Sequence, residues 1–370
     1  MNTTRTLPHA TYAPANAVEV QDIVQTLPKV LPHGAHTKPP LLHVNREQSI
    51  AHLDMTKISG IIEYDPGEYT FTAYAGTRLS ELAAALAEHG QYMPFDPPLV
   101  ENGATLGGTV AAGISGSGRY RYGGVRDFIL GVQIVDGEGR LVRGGGKVVK
   151  NAAGFDLPKL MVGSMGRLGI LISASFKVFP APRAMATLRA TFASLQDALA
   201  AMAKLMGGPY DLEALDLLPQ GNGSVELHAR IGGPADVLVA RLDRLRALIG
   251  NGDSIMEDLP LWQDARNFAW VADKHLLVKV ATTPQTVAAL DAALRAANAQ
   301  RRYAVGGNLA WIAWPDSVES CHNLLSQQQS HGLILRGDAP RALIGTPLHS
   351  PFLDRVRSAL DPSHRFVDFE

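Results

Sequence analysis

Glycine is the residue whose placement first suggests chemistry. The chain has 36 glycines, and from Gly103 to Gly169 they recur every few residues without a collagen-like period or low complexity. Glycine this dense in a globular chain marks backbone in close approach, at a tight turn or against a ligand. Four segments carry the signal. Pro32-His33-Gly34-Ala35-His36-Thr37-Lys38 follows a short apolar run. It can present several backbone N–H groups at once, a nest of the kind that holds phosphate oxygens; a plain surface turn accounts for it equally well. Ala104-Thr105-Leu106-Gly107-Gly108-Thr109-Val110-Ala111-Ala112-Gly113 joins consecutive glycines to two hydroxyls. Arg121-Tyr122-Gly123-Gly124-Val125-Arg126-Asp127 brings Arg and Asp close enough to pair, and Gly163-Ser164-Met165-Gly166-Arg167-Leu168-Gly169-Ile170 opens an apolar strand.

Other chemistries fit the residues less well. Gly-x-Gly-x-x-Gly is absent, and the Walker pattern fails because Val148 follows Gly146-Lys147 and Leu141 stands where its first glycine belongs. No Gly-x-Ser-x-Gly nucleophile elbow occurs. The 12 histidines are scattered; His33 and His36 form a loose pair with no Cys or carboxylate cluster, so no metal is expected. The net charge of −1 gives no pull toward nucleic acid or anionic lipid. The single cysteine, Cys321, has no internal disulfide partner, which fits a reducing compartment. Met1 to Ala10 lacks an apolar leader core, and no apolar run reaches the ~20 residues that span a bilayer. At 370 residues, 46% hydrophobic and 19% charged, the chain is long and apolar enough for about two globular domains.

The elements that must position these segments follow from periodicity. Asn16 caps a helix over Asn16 to Leu27 with Glu19 completing a capping box, and Pro28 ends it. Val30-Leu31, Leu53 to Met55, Gly60 to Tyr64 and Thr70 to Tyr74 read as strands. Thr77 is expected to cap an amphipathic helix carrying Leu79, Leu82, Ala83 and Leu86, closed by Gly90. Phe128 to Val135 and Arg140 to Val142 read as a hairpin around Asp136-Gly137. Leu168 to Pro180 is a strongly apolar strand region. Composition shifts at Pro180-Ala181-Pro182. Beyond it come helices at Leu195 to Met206, Val237 to Leu248, Gln285 to Ala299 and Phe352 to Leu360, with strands near Val225 to Ile231. Strands and helices in this alternation form an α+β pattern, divided into residues 1–180 and 181–370.

The order of the motifs resembles the p-cresol-methylhydroxylase-type FAD-binding domain. That family places a proline-led glycine loop after an early strand, then Ala-Thr-x-Gly-Gly, here Ala104 to Gly108, then Arg-Tyr-Gly-x-x-Arg-Asp, here Arg121 to Asp127. Lys-Asn-x-Ala-Gly-aromatic-Asp-Leu follows, here Lys150 to Leu157, and Gly-Ser-x-Gly-x-Leu-Gly-Ile, here Gly163 to Ile170. The resemblance implies two α/β subdomains with FAD between them and a smaller α+β C-terminal domain. It implies that Pro32, His33, Gly34, Ala35, His36 and Thr37 hold the pyrophosphate. Pro97, Ala104, Thr105, Leu106, Gly107, Gly108, Thr109, Gly113, Gly116, Arg121 and Tyr122 would then follow the cofactor, with Gly169 and Ile170 at its flavin or adenosine side.

In the second half, Leu261-Trp262-Gln263-Asp264-Ala265-Arg266, Gly306-Gly307-Asn308-Leu309-Ala310-Trp311, His331 to Arg336 and Asp361-Pro362 resemble the FAD-binding subunits of bacterial glycolate oxidases. That resemblance implies a small 2-hydroxy acid substrate, a larger flavoprotein subunit and an iron–sulfur subunit as partners, and a cytoplasmic protein that meets the membrane only through them. The chain departs from the pattern in places. Gly34-Ala35-His36 replaces three glycines, and His36 falls one position before the point where some relatives attach FAD covalently, so non-covalent binding is expected. The Asn-Pro-Gly ending is replaced by Phe366-Val367-Asp368-Phe369-Glu370. Gly-Asp-Gly-Asn-x-x-His is missing, with Gly307-Asn308 as a remnant. Three readings remain open: an oxidoreductase subunit, with Lys150, Arg126 and Lys274 as polar candidates; a non-catalytic FAD-containing assembly subunit; and a stand-alone flavin oxidase of another alcohol.

Overall fold

The computed structural model describes residues 10–38, 50–146, 155–347 and 351–367. Among these residues the strands form four sheets. A small parallel sheet has the order Thr11–Tyr12, Ala51–Asp54, Val30–His33. Helix Ala17–Thr26 packs on it through Val20 and Val24, against Val30 and Leu53. Its start is the one expected: the Asn16 side chain accepts the Glu19 N–H, and the Glu19 carboxylate accepts from Asn16 Nδ2 and the Ala15 N–H.

A middle antiparallel sheet follows, ordered Ile61–Asp65, Thr70–Tyr74, Ile170–Lys177, Ile129–Val135, Leu141–Gly145. Ile170–Lys177 is central and almost wholly buried, which explains its unbroken apolar run: both of its faces are covered. Ile170 and Ile172 join the core around Val20 and Leu53, while Leu171, Ala174 and Phe176 join the one containing helices Leu79–Ala87 and Leu106–Ala112. Two local expectations change. Thr77 does not cap the helix that follows; its hydroxyl is buried, accepting the Gly60 N–H and donating to the Gly60 carbonyl, and the helix starts after Arg78 with no side-chain cap. The hairpin begins later than expected because Val125–Phe128 forms a helical turn first.

The third layer is a large sheet ordered Asp253–Ile255, Ala184–Phe192, Val225–Gly233, Leu212–Pro219, Gln300–Ala304, Leu309–Trp314, Leu276–Ala281, His331–Arg336, Leu343–Gly345. Its outer face carries helices Leu195–Met206, Ala235–Ile249, Val287–Ala296 and Val318–Gln327 in one apolar core. Its inner face sends Leu277, Ala304, Trp311, Leu333 and Leu335 into the core of the middle sheet. The chain then turns back. Helix Pro351–Leu360 leads to Asp361, whose carboxylate caps the N–H groups of Arg365 and Phe366. Phe366 bridges Val30 in parallel, and Arg365 donates to the Leu27 carbonyl. The motif Lys150 to Leu157 falls largely on residues 147–154, outside the described residues, as does the candidate Lys150.

A buried charge pair within the large sheet, Asp216 with Arg302, is tied to the first half through Ser117. The Asp216 carboxylate is fully enclosed; it accepts from Arg302 Nε at 2.7 Å, Ser117 Oγ at 2.5 Å and the Val305 N–H at 3.2 Å. Removing one partner of such a pair leaves the other charge uncompensated, at a cost of about 3–5 kcal/mol. Asp216→Ala is therefore expected to lose about that much stability in urea denaturation, and a loss below about 1 kcal/mol, the worth of an exposed pair, would refute this account of the joint.

Candidate functional site

A cleft opens between the small parallel sheet and helix Leu106–Ala112. Three backbones meet there with no room for side chains. A Cβ on Gly34 would collide with Thr105 Oγ1. One on Gly166, whose φ is +78°, would lie 2.7 Å from Pro32 Cγ. The two neighbouring glycines of the helix have different jobs. A Cβ on Gly107 would meet Ala75 of the sheet, 2.7 Å from its Cβ and 3.0 Å from its carbonyl oxygen. A Cβ on Gly108 would meet only Thr105 Oγ1, at 3.0 Å, and otherwise face the cleft. Thr105 holds the turn by accepting the Gly108 N–H at 3.3 Å.

The loop after Val30–His33 forms the opposite wall. His36 takes a left-handed φ of +54°, a conformation that His adopts more readily than branched residues. Among the described residues, no acceptor receives the backbone N–H groups of residues 34–38. The His33 and His36 rings lie 4.1 Å apart. Burial, then the neighbouring His33, holds the His36 pKa below its usual value, with Asp54 opposing. Burial works against ionised Asp54, but hydrogen bonds from Thr56 and the two imidazoles outweigh it and hold its pKa low. Met55, Met165, Ile170 and Leu171 supply apolar wall. Open N–H donors, a glycine surface and an apolar side together fit a dinucleotide carrying a flat ring system.

Of the residues singled out in the sequence, Pro32, His33, Gly34, Ala35, His36, Thr37, Thr105, Gly107, Gly108, Gly169 and Ile170 line this cleft. The others stand behind it or elsewhere. Ala104, Leu106 and Thr109 are buried in the core, and Pro97 is buried outside the cleft wall. Gly113 meets the Gly163 backbone, and Gly116 packs on Asp96. Arg121 does not pair with Asp127: it reaches the large sheet, donating to Glu213 Oε1 and the Asp211 carbonyl, both at 2.9 Å. Asp127 instead accepts the Gly124 N–H, and Tyr122 stands edge-on to Phe179. Long-range partners claim Arg121, so within the motif it is this residue that seats the first half on the sheet. Lys38, Met55, Ala75, Met165 and Gly166 were not singled out as contacts. Met165 and Gly166 lay inside a quoted motif; Met55 and Ala75 come from the ends of other elements and gave no signal.

A second, smaller cavity lies between the first half and the large sheet, walled by Asp96, Ser117, Arg266, Arg302 and Trp311 among others. Arg302, Trp311 and Lys279 form a cross-strand row, with Trp311 opposite both cations in register. Arg302 Nη2 is buried and has no acceptor in the structure described. Burial, and after it Arg119, pushes the Lys279 pKa down to about 8. The cations proposed from sequence are elsewhere: Arg126 and Lys274 are exposed, where water competes for any anion. Trp262 carries Arg302 and Arg230 over its ring, at 5.2 and 5.4 Å. Arg266 hydrogen-bonds Glu101 and lies 4.0 Å from Asp96.

Residues 8–145 match the FAD binding domain family, and the chain carries such a domain. The fold is shared with alkyldihydroxyacetonephosphate synthase: the TM-score is 0.69 at 14% identity, over 96% of this chain and 74% of that one. The architecture is thus the p-cresol-methylhydroxylase type, as the motif order implied. Glycolate oxidase subunit GlcE of Escherichia coli (strain K12) is 42% identical over 193 residues, 50% of this chain and 55% of that protein. Glycolate oxidase subunit GlcD of Bacillus subtilis (strain 168) is 27% identical over 270 residues, 68% of this chain and 57% of that one. A D-lactate dehydrogenase of Anaerostipes hadrus is 34% identical over 148 residues, 40% of this chain and 31% of the enzyme. The chain thus spans little more than half the length of the glycolate oxidase subunits it matches.

The two glycines are separable by experiment. Gly108→Val is expected to leave the melting temperature of the flavin-free protein within a few degrees and to weaken FAD binding ten- to hundredfold, since overpacking a tight site costs about 1–3 kcal/mol. Gly107→Val is expected to lower the melting temperature itself. Equal FAD content in soluble Gly108→Val and wild type would disprove this placement of the helix.

Proposed function

We propose that this chain is the FAD-bearing subunit of a complex that oxidises a small 2-hydroxy acid such as glycolate. The observation that carries the reading is the pairing of two sites on one segment. Thr105 to Ser117 runs from the cofactor cleft to the cavity whose wall holds Arg302 and its open N–H. Identity of 42% with a glycolate oxidase subunit supports the substrate class. The chemistry that FAD supplies when bound is acceptance of a hydride equivalent from the hydroxyl-bearing carbon. The protein's part is to bind and orient. Gly34, Gly108 and Thr105 shape the cofactor's bed, and the loop N–H groups face its diphosphate. Arg302 supplies the cationic end of the second cavity, where a carboxylate finds charge-assisted hydrogen bonds, and Lys279 stands beyond Trp311 in the same cross-strand row.

A second reading has its own support. No histidine lines the second cavity among the described residues. Its carboxylate, Asp96, already accepts the Gly118 N–H and faces Arg266. A general base must reach the proton it takes. In this reading the chain holds FAD and relays electrons, while a larger flavoprotein subunit performs the oxidation and an iron–sulfur subunit carries the electrons onward. The lone Cys321 is buried with its pKa pushed up to about 12, so it is no cluster ligand, a role that takes about four thiolates.

Anaerobic addition of glycolate to the purified chain separates the two. Bleaching of the oxidised flavin band, lost in Arg302→Met, is expected if this chain does the chemistry. An unbleached band with co-purifying flavoprotein and iron–sulfur subunits favours the relay. A monomer that does neither would overturn the proposal. The FAD is expected to be non-covalent. Acid precipitation should leave all colour in the supernatant, and flavin remaining on the pelleted chain would show attachment at His36 or another residue.

A further inference from the structure

Lys38 is an unusual residue to find on the wall of the cofactor cleft. It is 7% exposed, and its one hydrogen bond among the described residues goes to the neutral hydroxyl of Thr37, at 2.9 Å. Among the described residues no carboxylate approaches it. A buried ammonium without a counter-charge is costly, and burial alone pushes the Lys38 pKa down to about 8. Evolutionary accident aside, such a charge is stable only when something anionic completes the site. The adjacent wall is the run of N–H groups from Gly34 to Lys38 itself, which meet no acceptor among the described residues.

We propose that Lys38 is the counter-ion of the FAD diphosphate, so that the cofactor's charge completes a site that is destabilised without it. Pyrophosphate in this architecture then meets one buried cation in addition to backbone donors. The ammonium favours ligands that carry a diphosphate: FAD and ADP bring it, riboflavin does not. Other charged groups stand on the elements packed around the loop. His33 and His36 lie on the loop itself, and Asp54 stands behind them with His52, whose ring is 6.1 Å from that of His33. Arg167 is buried beside Gly166. Helix Leu106–Ala112 contributes no ionisable side chain. With His36 lowered by burial and by His33, the titration near pH 8 belongs to Lys38.

The sign of the pH effect follows. Free Lys38 titrates at about 8, and a bound diphosphate favours the ammonium and raises that value. FAD affinity is then flat below pH 8 and falls as pH rises through the window between the free and bound values. The flavin-free protein is titrated with FAD and with ADP, for wild type, Lys38→Met and Lys38→Arg, with melting of each free protein recorded. Lys38→Met is expected to weaken both ligands tenfold or more, to abolish the alkaline decline, and to leave the free protein melting at the same or a higher temperature. Lys38→Arg is expected to recover most of the affinity. A side chain with a merely structural role would lower melting and affinity together. That outcome would overturn the proposal, as would Lys38→Met binding FAD within twofold of wild type. Should Lys38→Met not fold, Lys38→Arg and the wild-type pH profile decide: an arginine variant that loses FAD, or a profile flat from pH 7 to 10, would each reject it.

Discussion

Everything in the first half depends on three stretches of main chain lying closer than side chains permit. Gly34 sits under Thr105, Gly166 under Pro32, and Gly107 on Ala75. Each contact joins a different pair of elements: loop to helix, strand entry to loop, helix to sheet. Together they fix the small parallel sheet, helix Leu106–Ala112 and the strand Ile170–Lys177 around one space. A methyl group at any of them would spread two walls, and the change would be felt at the third because close-packed interiors transmit strain. The glycines thus set the width of the cleft, while Gly108 and the loop N–H groups set what can enter.

The joint with the large sheet is built on a different principle. There the contacts carry charge and are long-range: Asp216, paired with Arg302 inside the sheet, accepts from Ser117, and Arg121 pairs with Glu213. These pairs are paid for by desolvation and returned by geometry, so their worth lies in register more than in net stability. Among the described residues, the same interface leaves Arg302 Nη2 without an acceptor and Lys279 without a partner of opposite charge. A surface that spends most of its cations on holding two halves together and keeps a few in reserve suits a site for a small anion.

Much of this was legible in the sequence. The helix at Ala17–Thr26 was marked by Asn16 and Glu19, and that at Leu195–Met206 falls within the bounds expected for it. The glycine segments marked the cleft wall, because a glycine demanded by close approach looks the same in sequence as in structure. What stayed hidden shares one cause. Thr77 was read as a cap because its local neighbours suit one, but Gly60, far back in the chain, takes its hydroxyl. Arg121 was read with its neighbour Asp127, yet its partners lie across the sheet interface. The row of Arg302, Trp311 and Lys279 exists only through strand register. Lys38 sat in a quoted loop, but its burial is a property of the walls around it. Local pattern reveals local geometry; partners brought by topology have no sequence signature.

The return of the chain end has a bearing on how the protein is made. Val30 and Arg365 share a backbone hydrogen bond, and Phe366 closes the core that Val20 and Val24 begin. On a ribosome, the first layer therefore waits for Arg365 and Phe366, far along the chain, before its edge is covered and its core sealed. Contacts this remote in sequence slow folding because the loop they close must be ordered first. Until then the edge strand Val30–His33, which leads directly into the cofactor loop, remains open to other chains. Assembly of the cleft is in this sense a late event in the life of the nascent polypeptide, and a chaperone that shields that edge would act at the step before flavin loading.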